Sequence, residues 1–391
     1  IAGRFCRDRS DPSLRSPAAM APSYQRLVDL QLDEKQLLRL QRRCAIRAPL
    51  LKEKPSEAQL KELHRALFDA LPFENLSVLE DEIVSLDLAD IIDKMCGPDG
   101  ESRRGGYCFE LNKLLAALLL HLGYEVQPLA ARVWLDDGST LRQPTWPLQT
   151  HLCLIASVDT KSFLCDVGFG KLGLSEPLPL ELLDQESVVN GHCRVKLLSS
   201  QRKTVQGLEY SVYTLWHDRP SGTAWIRGYS FLPAQDFDLL DTLPLNTHVF
   251  GHYESNFTQS LWFEKRNGTE HARILGKTFL RNGKETPITS ATQIQQLLLQ
   301  HFDLRLPLQL CQRIQGLGQL DTPQKRWGGV LATRALKAAP RVRSGARAAA
   351  LRPLLAGLLA VLAVCFWLRP LLPHGVLTMS EDSEFAWGQG T

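Results

Sequence analysis

The stretch Arg103-Arg104-Gly105-Gly106-Tyr107-Cys108-Phe109-Glu110-Leu111-Asn112 sets a thiol after two glycines and at the head of an apolar run. A glycine pair allows a close backbone approach. Phe109, Leu111, Leu114, Leu115, Leu118, Leu119 and Leu122 then recur at helical spacing. The pattern predicts a buried helix with Cys108 at its N-terminus and Gly123 at its C′ position. The dipole at that end favours negative charge on sulfur, and free backbone N–H groups there can hold a developing oxyanion. A lone cysteine in such a place is more often a packed side chain. Two further segments alter that balance. His151 opens the run His151-Leu-Cys-Leu-Ile-Ala-Ser-Val. After the turn Asp159-Thr-Lys a second run, Ser162-Phe-Leu-Cys, leads into Asp166-Val-Gly-Phe-Gly. Two such runs around a short turn read as a hairpin. Its pairing brings the start of the first strand to the end of the second, so His151 and Asp166 are expected as cross-strand neighbours near one sheet edge. A carboxylate beside an imidazole fixes its tautomer and favours the imidazolium, which beside a thiol gives a nucleophilic ion pair. One His among ten is usually structural; Cys, His and Asp placed this way together are less readily accidental.

These side chains need a scaffold that sets a helix end against a sheet. Residues 33–48 read as a helix. Ser56-x-x-Gln59 after Pro55 has capping-box form, and Leu60, Leu63, Leu67 and Leu71 follow with helical period. Residues 20–123 are therefore expected to be mainly helical. From 126 onward the runs at 126–135, 151–158, 162–169, 194–198, 208–216 and 223–231 are rich in β-branched and aromatic residues and read as strands. Asn267-Gly268 and Asn282-Gly283 mark hairpins. Ser290-x-x-Gln293 opens a last helix holding Ile294, Leu297, Leu298 and Phe302. Helices, then strands, then a small mixed unit predict an α+β fold rather than repeated βαβ units.

The 391 residues are 44% hydrophobic and 22% charged, which excludes a mostly disordered or collagen-like chain. The net charge of +3 hides an uneven spread. Eight Lys and Arg and no acid fall in 323–352, while the body at 20–322 is mildly acidic. Such a body gives no reason to expect a nucleic-acid partner. Nine cysteines without a C-x-x-C pair argue against a disulfide framework and a zinc site. Free thiols fit a reducing, cytoplasmic compartment. Residues 1–19 precede the first methionine, Met20, and read as a disordered extension; 309–391 reads as a low-complexity basic and apolar tail. Its apolar run from Leu354 to Leu368 falls short of the roughly 20 residues that span a bilayer, so a low-complexity extension is expected, with a weak tail anchor as the minority alternative.

At this point the chain resembles the arylamine N-acetyltransferase family. The family's R-G-G-x-C-[FW]-E-x-N motif is met without a gap from Arg104 to Asn112. Its H-L-x-L strand is matched by His151-Leu-Cys-Leu, its D-x-G-x-G by Asp166-Val-Gly-Phe-Gly, and its P-F-E-N by Pro72-Phe73-Glu74-Asn75. The resemblance runs from about residue 24 to 308. It implies Cys108 as nucleophile, His151 as its base and Asp166 as the orienting carboxylate. It also implies a helical bundle at 20–123, a β-barrel at 124–230 and an α/β lid at 231–308 around a cysteine-protease-like core. Acetyl-CoA would be the co-substrate, with no metal, and the acceptor a small aromatic amine, hydrazine or N-hydroxyarylamine. Papain-like or transglutaminase-like thiol enzymes share the triad logic, and amide synthesis or a non-catalytic binding role stand as alternatives.

The neighbouring residues extend this reading. Glu74 and Arg104 are charges in apolar or glycine-rich settings, and a buried ion pair would fix the loop before Cys108. Asn112 belongs to the same structural group. Gly168-Phe-Gly170-Lys-Leu-Gly173 has the form G-x-G-x-x-G, but Pro177 and Pro179 follow too soon for the helix that a dinucleotide site requires. The loop is expected instead to offer backbone N–H groups from Gly168 and Gly170 to a pyrophosphate. Phe73 and Phe169 are expected to wall the substrate pocket. Ser255 matches the family's S-x-F near its coenzyme A contacts, while Phe250-Gly-His252-Tyr-Glu254 departs from the family's small polar run.

Overall fold

Asp33 opens helix α1 (Glu34–Arg43): its carboxylate accepts the Gln36 N–H at 2.8 Å and Gln36 accepts the Asp33 N–H at 3.0 Å. In the computed structural model the described residues are 30–136, 146–190, 193–204, 206–218, 225–253, 255–267 and 270–317. Ser56 caps α2 (Glu57–Ala70) with half of the expected box. Its Oγ accepts the Gln59 N–H, but the buried Gln59 amide donates to the Leu50 carbonyl, and the Ser56 N–H goes to the Tyr124 hydroxyl. A two-residue strand, β1 (Phe73–Glu74), separates α2 from α3 (Leu76–Leu79), and α4 (Leu88–Cys96) follows. Helix α5 (Cys108–His121) is buried at every position from Cys108 through Leu119. It is therefore a core helix packed on all sides. Gly123 ends it at φ +93°, a conformation that glycine adopts without strain.

The central sheet has eight antiparallel strands in the order β5-β4-β3-β2-β9-β8-β7-β6. They are β2 (Glu125–Asp136), β3 (Gln149–Val158), β4 (Lys161–Cys165), β5 (Leu178–Pro179), β6 (Val188–Asn190), β7 (Cys193–Lys203), β8 (Glu209–Asp218) and β9 (Trp225–Phe231). Leu183 bridges back to Leu197, and the Asp184 N–H donates to the Leu197 carbonyl at 2.9 Å, so the sheet nearly closes into a barrel. Its inner residues, among them Leu129, Leu164, Leu215 and Phe231, form their own core. Leu152, Leu154 and Phe163 instead join the helical core around α5.

The third part holds α6 (Thr242–Gly251), α7 (Asn256–Gln259), β10 (Trp262–Asn267), β11 (Glu270–Leu275), β12 (Thr278–Arg281), β13 (Lys284–Pro287), α8 (Ala291–Phe302) and α9 (Leu308–Gln315). Its sheet order is β1-β10-β11-β12-β13, so β1 from the helical part is its edge strand. Phe73 pairs with Glu264 and Glu74 with Phe263. The fold is thus α+β, as expected, with some local differences. The strand expected over 162–169 stops at Cys165, where the chain turns into the site. Residues 242–251 form a helix whose apolar and polar residues lack a clear period. The helix at Ser290 is not the last: α9 follows, with Leu310, Cys311 and Ile314 buried in the lid core beyond the boundary expected at 308. No helix among the described residues is long and apolar enough to cross a membrane. Residues 1–19, Glu254 and the run at 354–368 lie outside the described residues, as do the expectations attached to them.

Candidate active site

The thiol is held by a clamp between two motifs. The Gly106 N–H donates to the Pro72 carbonyl at 3.2 Å and the Glu74 N–H to the Gly106 carbonyl at 2.9 Å. A Cβ on Gly105 would lie 1.8 Å from the Pro72 oxygen, so only glycine fits there. Arg104 locks the same loop from its side chain. Its Nε donates to Glu74 Oε1 at 2.9 Å, and further bonds reach Glu80 at 3.2 Å and Ser77 at 3.1 Å. Glu74 is 1% exposed and also accepts the Gly105 and Leu76 N–H groups. Burial alone would raise its pKa; Arg104 and Lys94 more than reverse this and hold it below the ordinary value. Glu110, paired with Lys94, accepts the Tyr107 N–H. The Tyr107 hydroxyl donates to Asn246, which in turn donates to the Val84 carbonyl at 2.9 Å. Cys108 follows at the first position of α5, 2% exposed, its sulfur 3.8 Å from the Thr150 carbonyl.

His151 and Asp166 meet, although not as directly opposed residues. The register pairs Leu154 with Cys165, which sets Asp166 one step beyond the ladder and opposite Cys153. His151 lies two residues further and reaches Asp166 along the diagonal. It pairs with Ala131 of β2 on one side and lies beyond the end of β4 on the other, so it stands at an edge of the ladder. A bulge in the β2–β3 pairing beside His151 accommodates Thr150. His151 Nε2 is 2.7 Å from Asp166 Oδ2, and its other side-chain hydrogen bond is to Cys108. Burial alone would lower the imidazole pKa; the charges of Asp166 and Cys108 and their hydrogen bonds override it and lift it from 6.5 to about 10.

Asp166 is fully buried and densely held. Its Oδ1 accepts from Asn112 Nδ2 and from the Gly168 N–H, both at 2.8 Å. Asn112 also donates to the Leu152 carbonyl and accepts the Val167 N–H, so one amide ties α5, β3 and the Asp166 loop together. Burial would raise the Asp166 pKa; His151 and these donors bring it below the ordinary value. His64 of α2, which sequence reasoning missed, accepts the Asp166 N–H on Nε2 at 3.1 Å and is fully buried. Burial pushes its own pKa down to about 4, so it stays neutral and keeps that lone pair. A histidine inside an amphipathic helix carries no sequence signal of such a role.

A cavity of about 510 Å³ lies over these groups. Phe73 and Phe169 both line it, and the Phe169 ring centroid is 4.9 Å from that of His151. Gly168 plays a different part from the one expected. Its N–H is spent on Asp166 and is not offered to a phosphate. A Cβ there would lie 2.7 Å from the Cys108 Cα, so this glycine lets the loop close on the thiol. Gly170 lines the cavity at φ +57°. Ser255 also lines it, but its hydroxyl caps α7 and donates to the Val249 carbonyl at 2.6 Å. Trp134, Trp262, Glu264 and Arg273 are among the other lining residues and were not singled out from sequence, since strand residues of mixed polarity look alike there. All described cysteines are free.

A family model described as N-acetyltransferase matches residues 58–311. The chain is 36% identical over 141 residues to an arylamine N-acetyltransferase / N-hydroxyarylamine O-acetyltransferase of Salmonella typhimurium, covering 36% of this chain and 47% of that protein. It is 36% identical over 121 residues to an arylamine N-acetyltransferase of Escherichia coli, covering 31% and 40%. The aligned stretches span less than half the length of these two curated relatives. Among solved structures, an arylamine N-acetyltransferase of Nocardia farcinica superposes with a TM-score of 0.62 at 26% identity, covering 75% of this chain and 96% of that one. The Mycobacterium marinum enzyme in complex with CoA shares the fold, with a TM-score of 0.59 at 24% identity over 71% of this chain and 97% of its own. A match across most of the folded body, with the same three-part fold, has one conclusion: the chain belongs to the arylamine N-acetyltransferase family.

Proposed function

We infer that the chain is an acyltransferase that moves an acetyl group from acetyl-CoA to an arylamine, arylhydrazine or N-hydroxyarylamine through an acylated Cys108. The observation that carries this reading is His151 Nε2 at 2.7 Å from Asp166 Oδ2, with His151 and Cys108 lining the same cavity. In the resting site the imidazolium faces a thiolate. The sulfur attacks the thioester carbonyl, the acetyl–sulfur bond of the donor breaks, and the proton on His151 goes to the departing CoA sulfur. Exchange of one thioester for another is close to energy-neutral, so the acyl enzyme keeps its transfer potential. Acylation also removes the negative charge that helped hold the imidazole proton. His151 is then a neutral base for the second half. An amine nitrogen attacks the acetyl-Cys108 carbonyl and gives His151 its proton; the carbon–sulfur bond breaks and the ion pair is restored. Aromatic amines and hydrazines suit this step because they are uncharged at neutral pH. Backbone N–H groups at the α5 N-terminus are placed to stabilise the oxyanion.

The test is intact-mass analysis after incubation with acetyl-CoA. One acetyl adduct is expected on the wild type, none on Cys108→Ser, and an aromatic hydrazine should discharge it. No adduct with acetyl-, propionyl- or malonyl-CoA would overturn the reading in favour of a hydrolase or a binding protein.

A further inference from the structure

His248 and His252 stand one helical turn apart where α6 ends. The His252 N–H donates to the His248 carbonyl at 2.9 Å, so the last turn is intact and both side chains share a face. Their rings lie nearly parallel, with centroids 4.6 Å apart and planes at 26°. The Tyr253 ring continues the stack, 4.7 Å from that of His252. The turn beyond is tied down as well: the His252 carbonyl accepts the Ser255 N–H at 3.1 Å and the Thr258 hydroxyl at 3.0 Å. His252 belongs to the run in which the chain departs from the family's small polar residues, and the acyl-transfer chemistry uses neither histidine.

We propose that His248 and His252 chelate a divalent transition-metal ion, such as copper(II) or zinc, and that the filled site slows acylation of Cys108. Imidazole is the commonest protein ligand for these ions, and two histidines four residues apart on a helix face are spaced to share one. Zn–N bonds of about 2.0–2.1 Å at a tetrahedral angle set two nitrogens roughly 3.3 Å apart. Rings already side by side at 4.6 Å need little motion to reach that separation. The last carbonyls of a helix carry partial negative charge and favour a cation at this end. Among the described residues no group of three or more His, Cys, Asp and Glu is placed to hold a metal ion. The pair therefore leaves the ion's other positions to water, which suits an exchangeable ion rather than a structural one. Copper(II) should bind more tightly than zinc. His248 lines the cavity together with Cys108 and Val249, so an ion held there stands at the edge of the space that reactants use.

The experiment adds copper(II) to the full chain carrying Cys108→Ser, which removes the thiol as a rival ligand. Binding is read by calorimetry and by the electron paramagnetic resonance of the copper, where coupling to nitrogen is expected. His248→Phe and His252→Phe keep a ring in the stack and remove the ligand. Each should weaken binding by at least roughly 10- to 100-fold, the scale lost when only a hydrogen-bond partner behind a ligand is removed. His252→Cys supplies a different ligand and should keep zinc binding. An affinity unchanged in both Phe variants overturns the proposal. So does binding that wild type shows and Cys108→Ser loses. In a second arm, zinc should slow formation of the acetyl adduct on Cys108 in the wild type and much less in His252→Phe; equal slowing overturns the effect on acylation. Failure of the acyl-transfer reading looks different: no adduct forms on the metal-free chain, while the histidine-dependent copper signal remains.

Discussion

The charges of Asp166 and Cys108 hold the His151 proton up to about pH 10. The folded pKa lies above the ordinary one, so the pairing contributes stability that is fully present below pH 6.5 and is lost as pH climbs through about 10. Under the proposed mechanism His151→Ala should slow alkylation of Cys108 by iodoacetamide, and an unchanged labelling rate would contradict the pairing. Asp166→Asn keeps the shape of the carboxylate but not its charge. It should slow acetylation by roughly 10²- to 10⁴-fold while the fold survives, measured as the rate of acetyl adduct formation. His64 acts one step behind. His64→Leu leaves the Asp166 N–H buried without an acceptor and should cost about 1–3 kcal/mol in urea denaturation.

At the scale of elements, the site depends on two loops meeting without side chains between them. Gly105→Ala would force the Pro72 carbonyl to move and should lower stability by several kcal/mol, roughly at the upper end for single substitutions. Glu74→Gln leaves Arg104 without its main counter-charge, and a loss of roughly 3–5 kcal/mol is expected, read by chemical denaturation alongside the rate of Cys108 acetylation. This is also where the limits of legibility lie. The glycine pair, the apolar helix after Cys108 and the His151 hairpin were readable because each is a local pattern with a fixed period. The bond from the Gly168 N–H to Asp166 was not readable, because a glycine's N–H direction depends on tertiary contacts. His64 went unseen because its contact with Asp166 arises only when α2 packs beside a loop distant in sequence.

For the whole molecule, the lid is joined to the thiol loop through continuous backbone and side-chain bonds. Asn75, 1% exposed, donates to the Phe257 and Ser260 carbonyls at 2.7 and 2.8 Å and accepts the Trp262 N–H at 2.8 Å. Asn75→Ala removes three bonds at once. Hydrogen exchange of β10 should accelerate, reflecting a local loss of about 2–3 kcal/mol, while the barrel amides stay protected; unchanged exchange in β10 would show that the lid is held elsewhere. The edge strand β1 makes this connection stronger still, since Phe73 and Glu74 pair with β10 on one side while touching Gly106 on the other. The lid strands are thus built into the same sheet as the thiol clamp. Biosynthesis inherits the same constraint: on the ribosome, Cys108 emerges long before residues 262–275 do, and the nascent thiol waits without its finished surroundings until that hairpin docks onto Phe73.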